Sequence, residues 1–184
     1  MTSSRTCIAN RLSGARADAA FERKAPWLTS SQHYSSPAHS KAFSGQSAKD
    51  WGGRWNSRGV AVVYTAAHRS LSILEVLVHV EGGAGTGRGA ISVPFYSYPI
   101  SFESALLEDS PISSPPAGWN SEPPTAASQS LGDAWVLAAR NPFPAVPSVI
   151  VPEERNYVLN PNHPHFPKVQ IGSSVACSLD PRLL

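Results

Sequence analysis

The stretch from residue 52 to residue 80 constrains the fold of this chain more than any other part of the sequence. It opens with a glycine-flanked run, GGRWNSRG, at residues 52–59, which predicts a tight turn. Residues 60–64 are a continuous β-branched and aromatic run, which predicts a buried strand. Residues 69–80 are apolar on every side of a helical wheel except one narrow stripe that contains Glu75. The sequence therefore predicts a turn, a strand and a mostly buried helix in direct succession.

Composition and charge exclude several classes of protein. A chain of 184 residues with 41% hydrophobic residues is long enough to bury one good core. The formal net charge is only +2 and Lys and Arg are scattered, which argues against direct binding of nucleic acid. No apolar run approaches the length of a membrane span, and the N-terminus lacks the apolar segment of a secretory signal. Cys7 and Cys177 form neither a disulfide framework nor a metal-ligand pattern. We therefore expect a cytoplasmic protein without a bound metal.

Residues 1–32 show no sustained hydrophobic period of either kind. We predict that they form a loosely attached arm in front of one domain over residues 33–184. An arm that buries little apolar surface cannot offset the entropy of ordering it, which is roughly 1–2 kcal/mol per residue for the backbone. The arm is therefore expected to be dispensable for folding.

Arg54, Tyr64 and Glu75 are the candidate binding and catalytic residues of the turn, strand and helix. A guanidinium binds phosphate through a rigid fork of donors, and a tyrosine face can stack on a cationic ring. A carboxylate can stabilise the positive carbon that forms when a glycosidic bond breaks. The three groups together suit nicotinamide dinucleotide. Each also has a simpler interpretation: a surface ion pair for Arg54, a core tyrosine with a satisfied hydroxyl for Tyr64, and a solvated helix edge for Glu75.

Other motifs bear on the kind of site. No Walker loop and no GxGxxG between a strand and a helix is present, so a dinucleotide site here is not of the Rossmann type. Ser148 lies outside any GxSxG elbow and is not predicted to be a nucleophile. Its hydroxyl is expected to position Glu75 or the nicotinamide amide, the alternative being a turn serine. Asn156 and Asn160 are predicted to cap turns, and Trp55 and Trp135 are predicted to lie in the core.

The same motifs, in this order, resemble the RES-domain family, the toxins of Xre–RES toxin–antitoxin pairs. The resemblance covers residues 33–184. It rests on the GGRWNSRG run and on the segments KAFSG (41–45), VVYT (62–65), LEVLVHV (74–80), LGDAW (131–135), VPS (146–148), VPEERNY (151–157), LNPNHP (159–164) and DPRLL (180–184).

This resemblance implies a single α+β domain of the ADP-ribosyltransferase type, with a split mixed β-sheet, packed helices and a dinucleotide cleft. It implies that NAD+ is the substrate, with no further cofactor, and that cleavage at the nicotinamide–ribose bond by hydrolysis or phosphorolysis depletes cellular NAD+ and arrests growth. The signature Arg, Tyr, Glu and Ser of the family map onto Arg54, Tyr64, Glu75 and Ser148. The implied partner is an Xre-type helix-turn-helix antitoxin, in whose complex the toxin can form a homodimer.

The sequence departs from the family pattern at one place. RES domains usually open with an aromatic-Arg-Ile/Val segment before the Ala-Phe-Ser-Gly stretch, whereas residues 33–39 read HYSSPAH and contain no arginine. Arg23 or Lys24 could supply the missing cation. The missing arginine leaves open a weakened copy that only binds an antitoxin. The resemblance also leaves open an ADP-ribosyltransferase that acts on a macromolecule.

Overall fold

The computed structural model describes residues 23–24, 26–31, 39–81, 95–107, 111–140, 142–177 and 180, and within them it shows an eight-stranded sheet and four α-helices. The strands are β1 (Arg23–Lys24), β2 (Trp27–Ser31), β3 (Val63–Ala66), β4 (Phe95–Glu103), β5 (Ala145–Pro147), β6 (Arg155–Leu159), β7 (Gln170–Ile171) and β8 (Val175–Cys177). The helices are α1 (His39–Ala42), α2 (Gln46–Trp51), α3 (Arg69–Glu81) and α4 (Ala126–Ala138). The predicted α+β class is confirmed.

Strand β4 organises the sheet, because β1, β2, β7 and β8 all pair with it. Strand β3 lies between β2 and β6, and β5 pairs with β6. Each of these pairings is antiparallel, so in the described part of the chain the sheet is not the mixed one that the family resemblance implied. Neighbours such as β5 and β6 are joined by a short loop, and a short loop can join only antiparallel strands.

The predicted boundary between an arm and the domain at residue 32 is wrong for the described part of the arm. Strand β2 is paired on both sides, with β4 along its whole length and with β3 at Trp27. Pro26 is fully buried and its carbonyl accepts a hydrogen bond from Ile100. Although the segment lacks a clear period, the pairing of its backbone groups and the burial of Pro26 make it part of the core. Residues 1–22 lie outside the described residues.

The first family motif lies almost wholly outside the described part of the chain. The motif was expected at residues 33–39, and of these only His39 is among the described residues. The described strand that precedes the KAFSG segment is β2, and it contains no arginine. Arg23 and Lys24 pair with β4 opposite Glu103 and Phe102, and not with β3 or β6.

Each face of the sheet carries its own hydrophobic cluster, because side chains alternate along a strand. Val63 of β3 lies opposite Leu159 of β6, and both belong to the first cluster. Tyr64 lies opposite Val158 on the other face, which we call the site face. The cluster on the site face contains Trp55, Val62, Ile112, Trp135, Val146 and Val158, so the two tryptophans predicted to be buried are confirmed as core residues.

Helix α3 packs on the same sheet near β2 and β3. It begins at Arg69, whose guanidinium lies over the ring of Trp27 and donates to the hydroxyl of Ser97. Leu71 and Leu77 are buried, whereas Leu74 and Val78 are exposed, so the helix buries one face on the sheet and the prediction of a mostly buried helix is wrong. In the part of the chain that the structure describes, no helix is long and apolar enough to cross a membrane.

A truncation tests the corrected boundary. Deleting residues 1–31 removes β2 from between β3 and β4 and is expected to abolish the cooperative thermal transition, measured by circular dichroism. Deleting residues 1–22, which retains β1 and β2, is the matched control and is expected to leave the midpoint within a few degrees. A cooperative transition that survives the longer deletion at an unchanged midpoint would show that β2 does not contribute to the core.

Candidate active site

A buried asparagine organises the loop at residues 52–59. The Nδ2 of Asn56 donates to the carbonyls of Ala48 and Val60, at 2.7 and 3.0 Å. Its Oδ1 accepts a hydrogen bond of 2.7 Å from the Tyr64 hydroxyl, which in turn accepts one of 2.9 Å from the backbone N–H of Trp55. The loop is therefore linked to β3 by a hydrogen-bond network through Asn56 and Tyr64.

The hydroxyl of Tyr64 thus has a structural role. Burial is the main cause that raises the pKa of Tyr64 above its usual range, and the hydroxyl therefore stays protonated and can donate to Asn56. Gly53 packs directly on it: a Cβ at residue 53 would lie 2.7 Å from the Tyr64 hydroxyl and 2.8 Å from Asn56 Oδ1. The satisfied hydroxyl agrees with the simpler interpretation of Tyr64, while stacking of its ring on a nicotinamide stays a prediction.

Arg54 projects toward the loop in front of α4. Its Nη1 donates to the carbonyls of Trp119 and Ser121 at 2.6 and 2.7 Å, and its Nη2 lies 3.2 Å from the Oε2 of Glu122. The Arg54 side chain is 16% exposed and that of Glu122 is 80% exposed. The ring of Trp119 stacks on Trp55, with 5.9 Å between ring centroids. Arg54 and Trp55, two consecutive residues of the GGRWNSRG run, therefore hold residues 119–122 in place.

Glu75 is oriented by two donors that converge on one carboxylate oxygen. The hydroxyl of Ser148 donates to Oε1 at 2.9 Å, and the Nδ2 of Asn156 donates to the same atom at 2.6 Å. The Ser148 oxygen itself accepts hydrogen bonds from the N–H groups of Ile150 and Val151, both at 3.1 Å. With two donors on its oxygen, the Ser148 hydroxyl can direct its own proton only to the carboxylate. The other carboxylate oxygen, Oε2, receives no hydrogen bond from the described residues.

Ser148 is a fully buried residue between β5 and the turn that follows it. Its N–H donates to the carbonyl of Glu154, which closes the loop 148–154 and fixes the side chain in place. This geometry agrees with a hydroxyl that positions Glu75 rather than one that attacks a substrate. The catalytic roles of both residues stay predictions.

Asn156 is the site residue that the sequence analysis assigned wrongly. It does not cap a turn but lies within β6, where it faces the same side as Tyr64. The alternation of residues 155–159 was the available signal, since it sets Asn156 and Val158 on one face of the strand. Asn160, in contrast, caps a turn as predicted, because its Oδ1 accepts from the N–H of Asn162.

The two halves of the candidate site lie on one face of the sheet. Tyr64 and Asn156 are diagonal neighbours on β3 and β6, a relation that sets Cα atoms about 7–8 Å apart. Arg54 adjoins Tyr64 on one side, and Glu75 meets Asn156 on the other. The candidate site therefore consists of the Arg54 guanidinium, the Tyr64 ring and the oriented carboxylate of Glu75, in that spatial order. Among the residues described, no group of three or more His, Cys, Asp or Glu could hold a metal ion.

A sequence model of the RES domain matches residues 25–180, which is most of the chain. The chain belongs to the RES-domain family. The match begins at residue 25 rather than 33, in agreement with the inclusion of β2 in the domain. The family predicted from the sequence is confirmed.

Named relatives and a solved structure extend this comparison. The chain is 37% identical to the Prs ADP-ribosylating toxin of Sphingobium sp. (strain YBL2) over 147 residues, which cover 77% of this chain and 86% of the relative. It is 31% identical to Toxin Res of Yersinia enterocolitica over 142 residues, or 77% and 90% of the two chains. It shares its fold with a chain of the M. tuberculosis MbcT–MbcA toxin–antitoxin complex, at a TM-score of 0.59, 17% identity, and coverage of 88% and 87%. The family and these relatives support the coarse assignment of a RES-family toxin with enzymatic activity.

Proposed function

We propose that this chain is the toxin of a toxin–antitoxin pair and that it cleaves NAD+ at the nicotinamide–ribose bond. The observation that carries the proposal is the carboxylate of Glu75. Two donors fix its Oε1, whereas Oε2 accepts no hydrogen bond from the described residues. An oriented carboxylate with one uncommitted oxygen, on the same face of the sheet as Tyr64, suits the ribose end of a dinucleotide.

The chemistry follows from where charge develops. When the bond from the ribose carbon to the nicotinamide nitrogen breaks, the bonding pair leaves with nicotinamide and the sugar carbon becomes positively charged. A fixed carboxylate stabilises that charge without reorganising at the moment of reaction. Ser148 and Asn156 hold the Glu75 carboxylate in its orientation. Water, phosphate or an acceptor group then attacks the sugar carbon.

Arg54 is proposed to hold the phosphates of NAD+. Its Nε–H and one N–H of Nη2 have no acceptor among the described residues, and the exposed carboxylate of Glu122 is a partner that a phosphate could replace. Guanidinium–phosphate contacts form equally in the ground state and the transition state. The carbonyls of Trp119 and Ser121 keep the guanidinium in place meanwhile.

Substitutions at this ion pair have opposite expected effects. Arg54→Ala should raise KM for NAD+ more than it lowers kcat, because it removes uniform binding. Glu122→Gln should lower KM by up to about fivefold, since an exposed pair is worth at most about 1 kcal/mol. Steady-state kinetics with Glu103→Gln, an exposed carboxylate at the end of β4, is the matched control. If Arg54→Ala lowered kcat while KM stayed constant, the phosphate-binding role would be rejected.

The direct experiment is NAD+ consumption by the purified protein, with and without phosphate, followed by the mass of the product. Hydrolysis gives ADP-ribose and nicotinamide in either buffer, whereas phosphorolysis requires phosphate and adds its mass to the sugar. Expression in bacteria should lower cellular NAD+ and arrest growth. NAD+ that stays constant while folded, soluble protein accumulates would reject the proposal and favour a module that only binds an antitoxin.

A second candidate function is transfer of ADP-ribose to a macromolecule. It is favoured by the Sphingobium relative, which is named as an ADP-ribosylating toxin. NAD+ labelled in its ADP-ribose part distinguishes transfer from cleavage. Transfer leaves the label on a macromolecule, whereas cleavage leaves it only on small products.

We also propose that an Xre-type helix-turn-helix antitoxin binds this chain, since a chain with the same fold occurs in a toxin–antitoxin complex. A homodimer within such a complex and a cytoplasmic location stay predictions.

A further inference from the structure

The side-chain amide of Asn156 donates through its nitrogen, while its oxygen is buried and has no hydrogen-bond partner among the described residues. Its Nδ2 donates to Glu75 Oε1, whereas no described residue donates to its Oδ1, which is buried. A carboxylate oxygen can only accept, so the nitrogen must face Glu75 and the carbonyl must face away from it. A buried acceptor that has lost its water and gained no donor costs free energy. The free carbonyl therefore calls for a donor from outside the described part of the fold.

The strands beside Asn156 cannot supply this donor through their side chains. On the site face, Asn156 lies opposite Ala66 of β3 and Val146 of β5. Neither side chain has a polar atom. The carbonyl is therefore surrounded across the sheet by small or apolar groups, next to the carboxylate that acts on the ligand.

We propose that Asn156 is a positioning residue for Glu75 and that its Oδ1 accepts a hydrogen bond from a hydroxyl of the ribose on which Glu75 acts. The assignment of the ribose rests on the proposed cleavage of NAD+. The 2′- and 3′-hydroxyls are donors on the carbons that follow the reacting sugar carbon. Asn156 Oδ1 and Glu75 Oε2 offer two neighbouring acceptors, which match two neighbouring hydroxyls.

The positioning role is tested first. Asn156→Asp replaces the donor to Glu75 by an oxygen of the same size but keeps an acceptor for the ribose. We expect kcat to fall roughly tenfold or more and KM to change less than kcat, since the loss falls on the orientation of the carboxylate. Asn162→Asp, the same change at an exposed asparagine, should leave both constants unchanged. Circular dichroism checks folding, and Asn156→Ser is the second variant if Asn156→Asp does not fold.

A readout without substrate supports this test. The side-chain amide of Asn156 can be assigned in a ¹H–¹⁵N spectrum by its loss in Asn156→Ser. Its resonances should shift in Glu75→Gln, because the charged acceptor of Nδ2 disappears. Resonances that do not respond to Glu75→Gln, or a normal kcat in folded Asn156→Asp, would overturn the positioning role.

The ribose contact is tested with 2′-deoxy- and 3′-deoxy-NAD+ on the wild-type protein and on Asn156→Ala. One of the two analogues should lose roughly tenfold or more in kcat/KM with the wild type, and less than about twofold relative to NAD+ with Asn156→Ala. Equal losses in both proteins would overturn the contact while cleavage of NAD+ stands. A wild-type protein that does not cleave NAD+ would overturn the ribose assignment together with the proposed function, whereas the amide resonances would still decide the contact with Glu75.

Discussion

Glu75→Gln is expected to lower kcat by roughly 100- to 1,000-fold with little change in KM, the range typical for removing one electrostatic group from a preorganised site. The amide oxygen of glutamine can still accept from Ser148 and Asn156, so the side chain should keep its position. On the proposed mechanism, what is lost is the negative charge that faces the sugar carbon in the transition state. The ground state of bound NAD+ loses less stabilisation, because the positive charge on the sugar carbon has not yet developed there.

Single-turnover and steady-state assays of NAD+ cleavage measure this effect, and thermal unfolding shows that the variant is folded. Glu103→Gln removes an exposed carboxylate and again serves as the matched control. A folded Glu75→Gln enzyme with near-normal kcat would mean that another group stabilises the positive sugar carbon.

Gly132→Ala is expected to destabilise the fold by at least about 3 kcal/mol, at the upper end of what overpacking costs. Gly132 lies on α4 where the helix meets the backbone of Trp55, and an added Cβ would overlap the Trp55 carbonyl oxygen and lie 2.6 Å from its carbonyl carbon. A backbone cannot move aside as a flexible side chain can. Trp55 is also buried in the cluster on the site face, so moving it would disturb Trp119 and Arg54 as well.

The direction of this effect is informative, because replacing Gly by Ala inside a helix normally stabilises the helix by about 1 kcal/mol. We expect the thermal midpoint to fall by about 6 °C or more, at roughly 2–4 °C per kcal/mol for a chain of this size. Ser130→Ala, an exposed position on the same helix, should change stability by no more than about 0.5 kcal/mol. An unchanged or raised midpoint in Gly132→Ala would show that α4 does not approach Trp55 so closely.

Local sequence was sufficient for several parts of the fold. The apolar pattern of residues 69–80 predicted α3, which the structure bounds as Arg69–Glu81. The start of helix α4 is also encoded locally, because its N-cap Thr125 accepts from the N–H of Ser128. Such features depend on neighbours one turn away, and a single sequence records those neighbours directly.

The non-local parts of the sheet escaped the same reasoning. Strand β2 has a weak pattern of its own, yet its place between β3 and β4 makes it part of the core. Its stability comes from hydrogen bonds to strands that lie far along the chain, and those partners cannot be read from the segment itself.

By itself the sequence determined the family and, through the family, the α+β class, because the family motifs are recorded as residue types at fixed spacings. Only the tertiary structure decided how Glu75 is held. Ser148 and Asn156 are 73 and 81 residues from it along the chain, and they meet it because β5 and β6 pair beside the strand that faces α3. It also decided that Arg54 fastens residues 119–122 and that the Tyr64 hydroxyl supports a loop. Hydrogen bonds depend on positions within a few tenths of an ångström, and such positions exist only once distant segments have packed.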